Sequence, residues 1–111
     1  HNARTNQIAH AISLIKERYS EKLNMDEIVQ SVNIAPSSFY RNFKKVTQVS
    51  PLQYQKQLRL NEAQRLMLSG EHSAESASYL VGYESPTQFS REYKKMFGNP
   101  PKTDVKNLVA V

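Results

Sequence analysis

The residues with chemistry to offer lie in a stretch that occurs twice. Pro36 to Pro51 reads PSSFYRNFKKVTQVSP, and Pro86 to Pro101 reads PTQFSREYKKMFGNPP. Displaced by 50 residues, the copies align Pro36 with Pro86, Phe39 with Phe89, Arg41 with Arg91, Phe43 with Tyr93, Lys44-Lys45 with Lys94-Lys95 and Pro51 with Pro101. Guanidinium and ammonium groups interleaved with hydroxyls and an amide suit an anionic polymer: the cations meet phosphates, and the short polar groups can reach base edges. No competing chemistry is visible. His1, His10 and His72 are scattered with no partner at ligand spacing, so no metal is expected. The acids form no catalytic pair, and serine is plentiful without a nucleophile motif or a placed base. Neither an enzyme nor a cofactor is expected.

Each copy must sit on an element that presents it. Both read as short basic helices, opened by Pro at the first helical position and closed before a second Pro. At 100° per residue, with Phe39 at the centre of the inner face, Phe43 and Val46 fall within about 40° of it. Ser37, Arg41 and Lys44 fall opposite, flanked by Ser38, Tyr40 and Lys45. In the second copy Phe89, Tyr93 and Met96 face in. Thr87, Arg91 and Lys94 face out, flanked by Gln88, Ser90 and Lys95. The plainest reading of the aromatic spines is packing, with the cations solvated on the outer faces. The matching placement of Arg41 and Arg91 favours contact with an acidic partner instead.

The 111 residues carry a net charge of +5, which points first to nucleic acid and second to a membrane surface. Between Asp26-Glu27 and Glu62 there is no acid, while Arg41, Lys44, Lys45, Lys56 and Arg59 fall in that interval. There is no cysteine, which fits a reducing, cytoplasmic compartment. No apolar run approaches the roughly 20 residues that span a bilayer, so no membrane partner is expected. The chain starts at His1 rather than Met, and is expected to continue upstream.

The remaining sequence reads as helices that support these two. Ile8, Ala11, Ile12, Ile15 and Tyr19 form one stripe on a helix from about Thr5 to Tyr19. Asn24 can cap a second short helix with Asp26 and Glu27 in its first turn, stopping near Asn33. Ile34 then plugs the turn before the first copy. Ser50 and Pro51 open a long helix to about Ser69, apolar on more than one side, with Gly70 as its stop. Ser73 can cap a fifth helix that Gly82 ends, and Tyr83 plugs that turn before Ser85 and Pro86 open the second copy. A last short helix is expected from Pro101 to about Leu108. No segment alternates as a strand would. The expected fold is all-α, with about seven helices in two helix-turn-helix subdomains, 1–49 and 70–111, joined by a linker helix, 50–69.

Two short helices joined by a tight turn, the second exposing small polar and basic residues, describe a helix-turn-helix. The outer face of the second helix enters a major groove about 12 Å wide. Its lysines sit near the flanking phosphates and add salt-dependent affinity. Duplex DNA repeats the same groove about every 34 Å, and a linker of roughly 19 residues is about 28 Å long. One chain is therefore expected to read two successive major grooves. A helical protein-interaction module with an acidic protein partner is the alternative.

These features resemble the DNA-binding domain of AraC/XylS-type bacterial transcription regulators. GYESPTQFSREYKKMFGNPP is similar to that family's C-terminal signature, and SPLQYQKQLRLNEAQRLML to its linker helix. The sequence departs from the usual pattern at Val29, Asn33, Ala35 and Ala77-Ser78. The resemblance implies control of transcription at a bacterial promoter through sequence-specific binding of double-stranded DNA, and contact with RNA polymerase. It implies base-reading slots at Ser37, Tyr40 and Arg41, and at Thr87, Gln88 and Arg91. It also implies an effector-binding or dimerisation domain in upstream sequence. Together with the helix geometry, the expected DNA-binding set is Ser37, Ser38, Tyr40, Arg41, Lys44, Lys45, Pro86, Thr87, Gln88, Ser90, Arg91, Lys94 and Lys95.

Overall fold

Helix signals along the chain become seven helices in the computed structural model, which describes residues 3–110. They are α1 (Ala3–Arg18), α2 (Met25–Ser31), α3 (Pro36–Thr47), α4 (Pro51–Leu68), α5 (Ala74–Leu80), α6 (Pro86–Phe97) and α7 (Pro101–Val109). No strand occurs among the described residues. The chain forms two compact units whose boundary falls inside α4, between Lys56 and Gln57.

The helix starts follow the capping chemistry. The Asn24 side chain accepts from the backbone N–H of Asp26 and Glu27, at 3.0 and 3.3 Å. Ser50 accepts from Gln53 N–H at 3.2 Å, Ser73 from Ser76 N–H at 3.0 Å and Ser85 from Gln88 N–H at 3.2 Å. Each satisfies an amide the helix cannot satisfy internally. Ala35, which precedes Pro36, has no side chain to do this for α3.

In the first unit, α1 packs against α2 and α3. Ile8, Ala11 and Ile15 from α1 meet Ile28, Val29 and Val32 around α2 and the two rings of α3, all buried. Phe39 and Phe43 are fully enclosed, with ring centroids 5.7 Å apart, and Phe43 meets Tyr54 edge-on at 5.7 Å. The turn between α2 and α3 uses Asn33 at φ 55°. Its N–H bonds Gln30 O at 3.2 Å, and Gln7 from α1 donates to Val32 O at 2.6 Å. Gln55, buried at the start of α4, donates to Tyr19 O and Glu21 O at 3.0 Å each, tying the α1–α2 loop down.

The second unit repeats the logic. Phe89 and Tyr93 of α6 are enclosed beside Ala77 and Val81, and Leu60, Ala63 and Met67 complete the buried set. Rings run in series: Tyr83 to Phe89 at 5.4 Å, Phe89 to Tyr93 at 5.6 Å, Tyr93 to Phe97 at 4.5 Å. The Tyr93 hydroxyl donates to Asp104 of α7, whose same oxygen accepts from Gln64 of α4 at 3.0 Å. Burial first, then this carboxylate, raises the Tyr93 pKa well above the ordinary phenol value. Gly82, at φ 107°, closes α5: its N–H bonds Tyr79 O at 3.1 Å, and Tyr83 N–H bonds Ser78 O at 2.9 Å. These are the paired bonds of a Schellman motif.

One expectation needs correction. Val46 and Met96, placed inward by helical angle, are 54% and 39% exposed. Angle fixes the side of a helix but not whether a neighbour covers that turn, and both residues lie in the last turn. Tyr79 and Leu80, apolar members of the fifth helix, are also more than half exposed, at 52% and 53%, while Ala77 and Val81 carry its packing. At position 48 the first copy uses a non-glycine residue in left-handed geometry. Gln48 (φ 71°) ends α3 as Gly98 (φ 92°) ends α6.

Candidate nucleic-acid interface

Burial of the aromatic spine fixes which way each second helix faces. With Phe39 and Phe43 turned in, α3 exposes Ser37, Tyr40, Arg41, Lys44 and Lys45. With Phe89 and Tyr93 turned in, α6 exposes Thr87, Gln88, Arg91, Lys94 and Lys95. Pro86 and Ser90 are half-buried at the edge of that face. Twelve of the thirteen expected residues therefore reach the surface of the two helices.

Ser38 is the exception. It is 7% exposed, although its helical angle put it on the flank. Asn42, one turn later, covers it: its Nδ2 donates to Ser38 O at 2.7 Å and to Ser38 Oγ at 3.3 Å. The seryl hydroxyl is held within its own helix and is withdrawn from the outer face.

Both outer faces are cationic, but not equally. Among the residues of α3, Arg41, Lys44 and Lys45 stand without an acid, a formal +3. In α6, Arg91, Lys94 and Lys95 less Glu92 give +2. Arg41, Lys44, Lys45 and Gln48 line an open hollow on the first unit. Three cations around one hollow make this part of the surface positive. Tyr40 is 41% exposed, and its ring meets that of Phe39 edge-on, centroids 5.2 Å apart.

A polar chain in the second unit was not anticipated from sequence. Gln88 Nε2 donates to Glu92 Oε2 at 3.0 Å, and the Tyr83 hydroxyl donates to Glu92 Oε1 at 2.7 Å. Beneath it the Arg59 guanidinium lies 5.5 Å from the Tyr83 ring centroid. Burial, then Glu92, raises the Tyr83 pKa well above the ordinary phenol value, and Arg59 opposes the shift weakly. The signal available in sequence was the i,i+4 pair of polar residues, Gln88 with Glu92, which aligns with Ser38 and Asn42 of the first copy. Among the described residues no group of His, Asp and Glu could hold a metal ion, and no helix is long and apolar enough to cross a membrane.

Comparison with known proteins bears on this arrangement. The family profile of the helix-turn-helix domain matches residues 28–107. The chain is 32% identical over 90 residues to the lactose operon transcription activator of Staphylococcus xylosus, covering 81% of this chain and 32% of that protein. It thus spans about a third of the length of the curated relatives it matches. An AraC-type transcriptional regulator from Chromobacterium violaceum superposes with a TM-score of 0.81 at 26% identity, covering 92% of this chain and 91% of that one. The DNA-binding domain of the global transcriptional factor AdpA, solved in complex with a target DNA, superposes with a TM-score of 0.82 at 21% identity, covering 93% of each chain.

Proposed function

The chain belongs to the AraC-type family of helix-turn-helix domains, and from that membership we propose that it is a sequence-specific binder of double-stranded DNA that regulates transcription at a bacterial promoter. α3 and α6 are the recognition helices, each laid in a major groove, and the two units take successive grooves of one duplex. The observation that carries this reading is the repeated division of labour. Two helices 50 residues apart each bury an aromatic pair and expose a hydroxyl-and-cation face.

The roles divide by position along each helix. Side chains near the start of a recognition helix reach base edges, so Ser37, Tyr40 and Arg41 read one half-site and Thr87, Gln88 and Arg91 read the other. Lys44, Lys45, Lys94 and Lys95, in the last turns, take phosphates. Pro86 and Ser90 border the second reading face. The half-sites differ because the outer residues differ. Residues 1–49 and 70–111 serve as the two reading subdomains and 50–69 as their linker. The family resemblance supports contact with RNA polymerase, a cytoplasmic location and an effector-binding or dimerisation domain outside this stretch.

A band-shift titration across salt concentrations tests the reading. One duplex should bind roughly a thousandfold or more tighter than random duplex, and affinity should fall steeply as salt rises. Equal, weak binding to all duplexes, with firm binding to an acidic protein, would favour a protein-interaction module instead.

A further inference from the structure

We propose that Glu92 is a specificity-determining positioning residue, which holds the Gln88 amide in the one orientation that reads adenine. The proposal rests on the base-reading role assigned above to α6.

A carboxylate in the middle of a DNA-binding helix opposes the phosphates around it, so its presence asks for a reason. The first copy has neutral Asn42 at the equivalent position. Glu92 is engaged through both oxygens, Oε2 by Gln88 Nε2 at 3.0 Å and Oε1 by the Tyr83 hydroxyl at 2.7 Å. An ionised carboxylate only accepts hydrogen bonds. The Gln88 side chain must therefore turn its NH₂ group toward Glu92, and the flipped amide, with its carbonyl oxygen there, is excluded. One N–H is then committed, leaving Oε1 as acceptor and the second N–H as donor.

That remaining pair is the complement of adenine in the major groove, where N6–H donates and N7 accepts. Guanine presents two acceptors, O6 and N7, and would face the amide oxygen with another oxygen. Fixing the amide thus converts an adaptable side chain into a selective one. Both ends of Gln88 are held, because its backbone N–H is also bonded to Ser85 Oγ at 3.2 Å. Tyr83 in turn is buried and meets Phe89 edge-on, ring centroids 5.4 Å apart, so the chain of contacts is anchored in the core. In the first unit the equivalent pair closes on itself, with Ser38 turned in under Asn42. Reading there passes to the neighbouring Ser37, Tyr40 and Arg41.

The test begins with binding-site selection from random duplex DNA by the 111-residue chain, followed by the same selection with Gln88→Ala. The base pair whose preference disappears is the one Gln88 reads, and it should be A·T, favoured roughly tenfold or more in band-shift titrations. Glu92→Gln can present either end of its amide to Gln88 and removes a negative charge. It should lower the A·T preference at that pair to less than about threefold, leave every other position unchanged, and hold or tighten binding to random duplex. Tyr83→Phe should lower the same preference with Glu92 in place. Full A·T preference in Glu92→Gln, a guanine preference in the wild-type chain, or equal weakening at all positions would overturn the proposal. If Gln88→Ala changes no position while the wild type selects a site, only this proposal falls. If the wild type selects no site, the base-reading role of α6 falls with it.

Discussion

Replacing Gly82 with Val should damage the turn that aims α6. Gly82 has φ 107°, beyond the left-handed well near +57° that L residues occasionally visit. Holding an L side chain in such a region costs about 1–3 kcal/mol, and a β-branched residue belongs at the top of that range or above it. For a unit of this size each kcal/mol moves the midpoint by roughly 4–8 °C, so Gly82→Ala should melt roughly 4–24 °C lower and Gly82→Val lower still. The loss is local: the turn is held by Gly82 N–H to Tyr79 O and Tyr83 N–H to Ser78 O. Relaxing the strain sacrifices those bonds and unseats Tyr83. Asn33→Gly is the control, since φ 55° is open to both residues and that melt should change little. Thermal denaturation followed by circular dichroism reads all three variants. A Gly82→Val melt that coincides with the wild type would refute the assignment of residue 82 to a left-handed turn.

Three further outcomes are expected. Arg91→Ala, if Arg91 reads a base, should cost about 1–3 kcal/mol of binding and relax preference at a single position in site selection; uniform weakening of all sites would make it a phosphate contact. Lys94→Ala and Lys95→Ala should weaken binding alike on all sequences, and each that touches a phosphate should lower the slope of log affinity against log salt by about 1. Tyr83 and Tyr93 have folded pKa values raised above the ordinary value of 10.0. Their contribution to stability is therefore complete below pH 10 and is lost as pH rises beyond it. Tyrosinate absorbance should show a late phase that coincides with alkaline unfolding, and that phase should shrink in Tyr83→Phe and in Tyr93→Phe.

Most of the fold was legible because local rules carry it. Apolar residues at spacings of three and four marked the buried side of α1, and Asn24, Ser50, Ser73 and Ser85 sit where caps were expected. The 50-residue repeat marked α3 and α6 as equivalent and set Phe39, Phe43, Phe89 and Tyr93 inward. Helical angle misled in the last turns, where Val46 and Met96 have the right side but no cover. It also misled at Ser38, whose burial depends on a side-chain bond from Asn42. The bond from Tyr83 to Glu92 joins residues nine apart across a turn, so no periodicity announces it. Gln55 illustrates the same limit: a glutamine near the start of the expected linker helix is buried, where it donates to two loop carbonyls from 34 and 36 residues earlier.

As proposed, the two recognition helices of one chain read two different DNA half-sites. Site selection from random duplex DNA with the 111-residue chain tests it most directly. The expected product is one asymmetric site with two unlike sequence blocks about one helical turn apart. Arg41→Ala should erase preference in one block and Arg91→Ala in the other. A pool that remains random after selection, or a single block sensitive to only one of the two arginines, would contradict it.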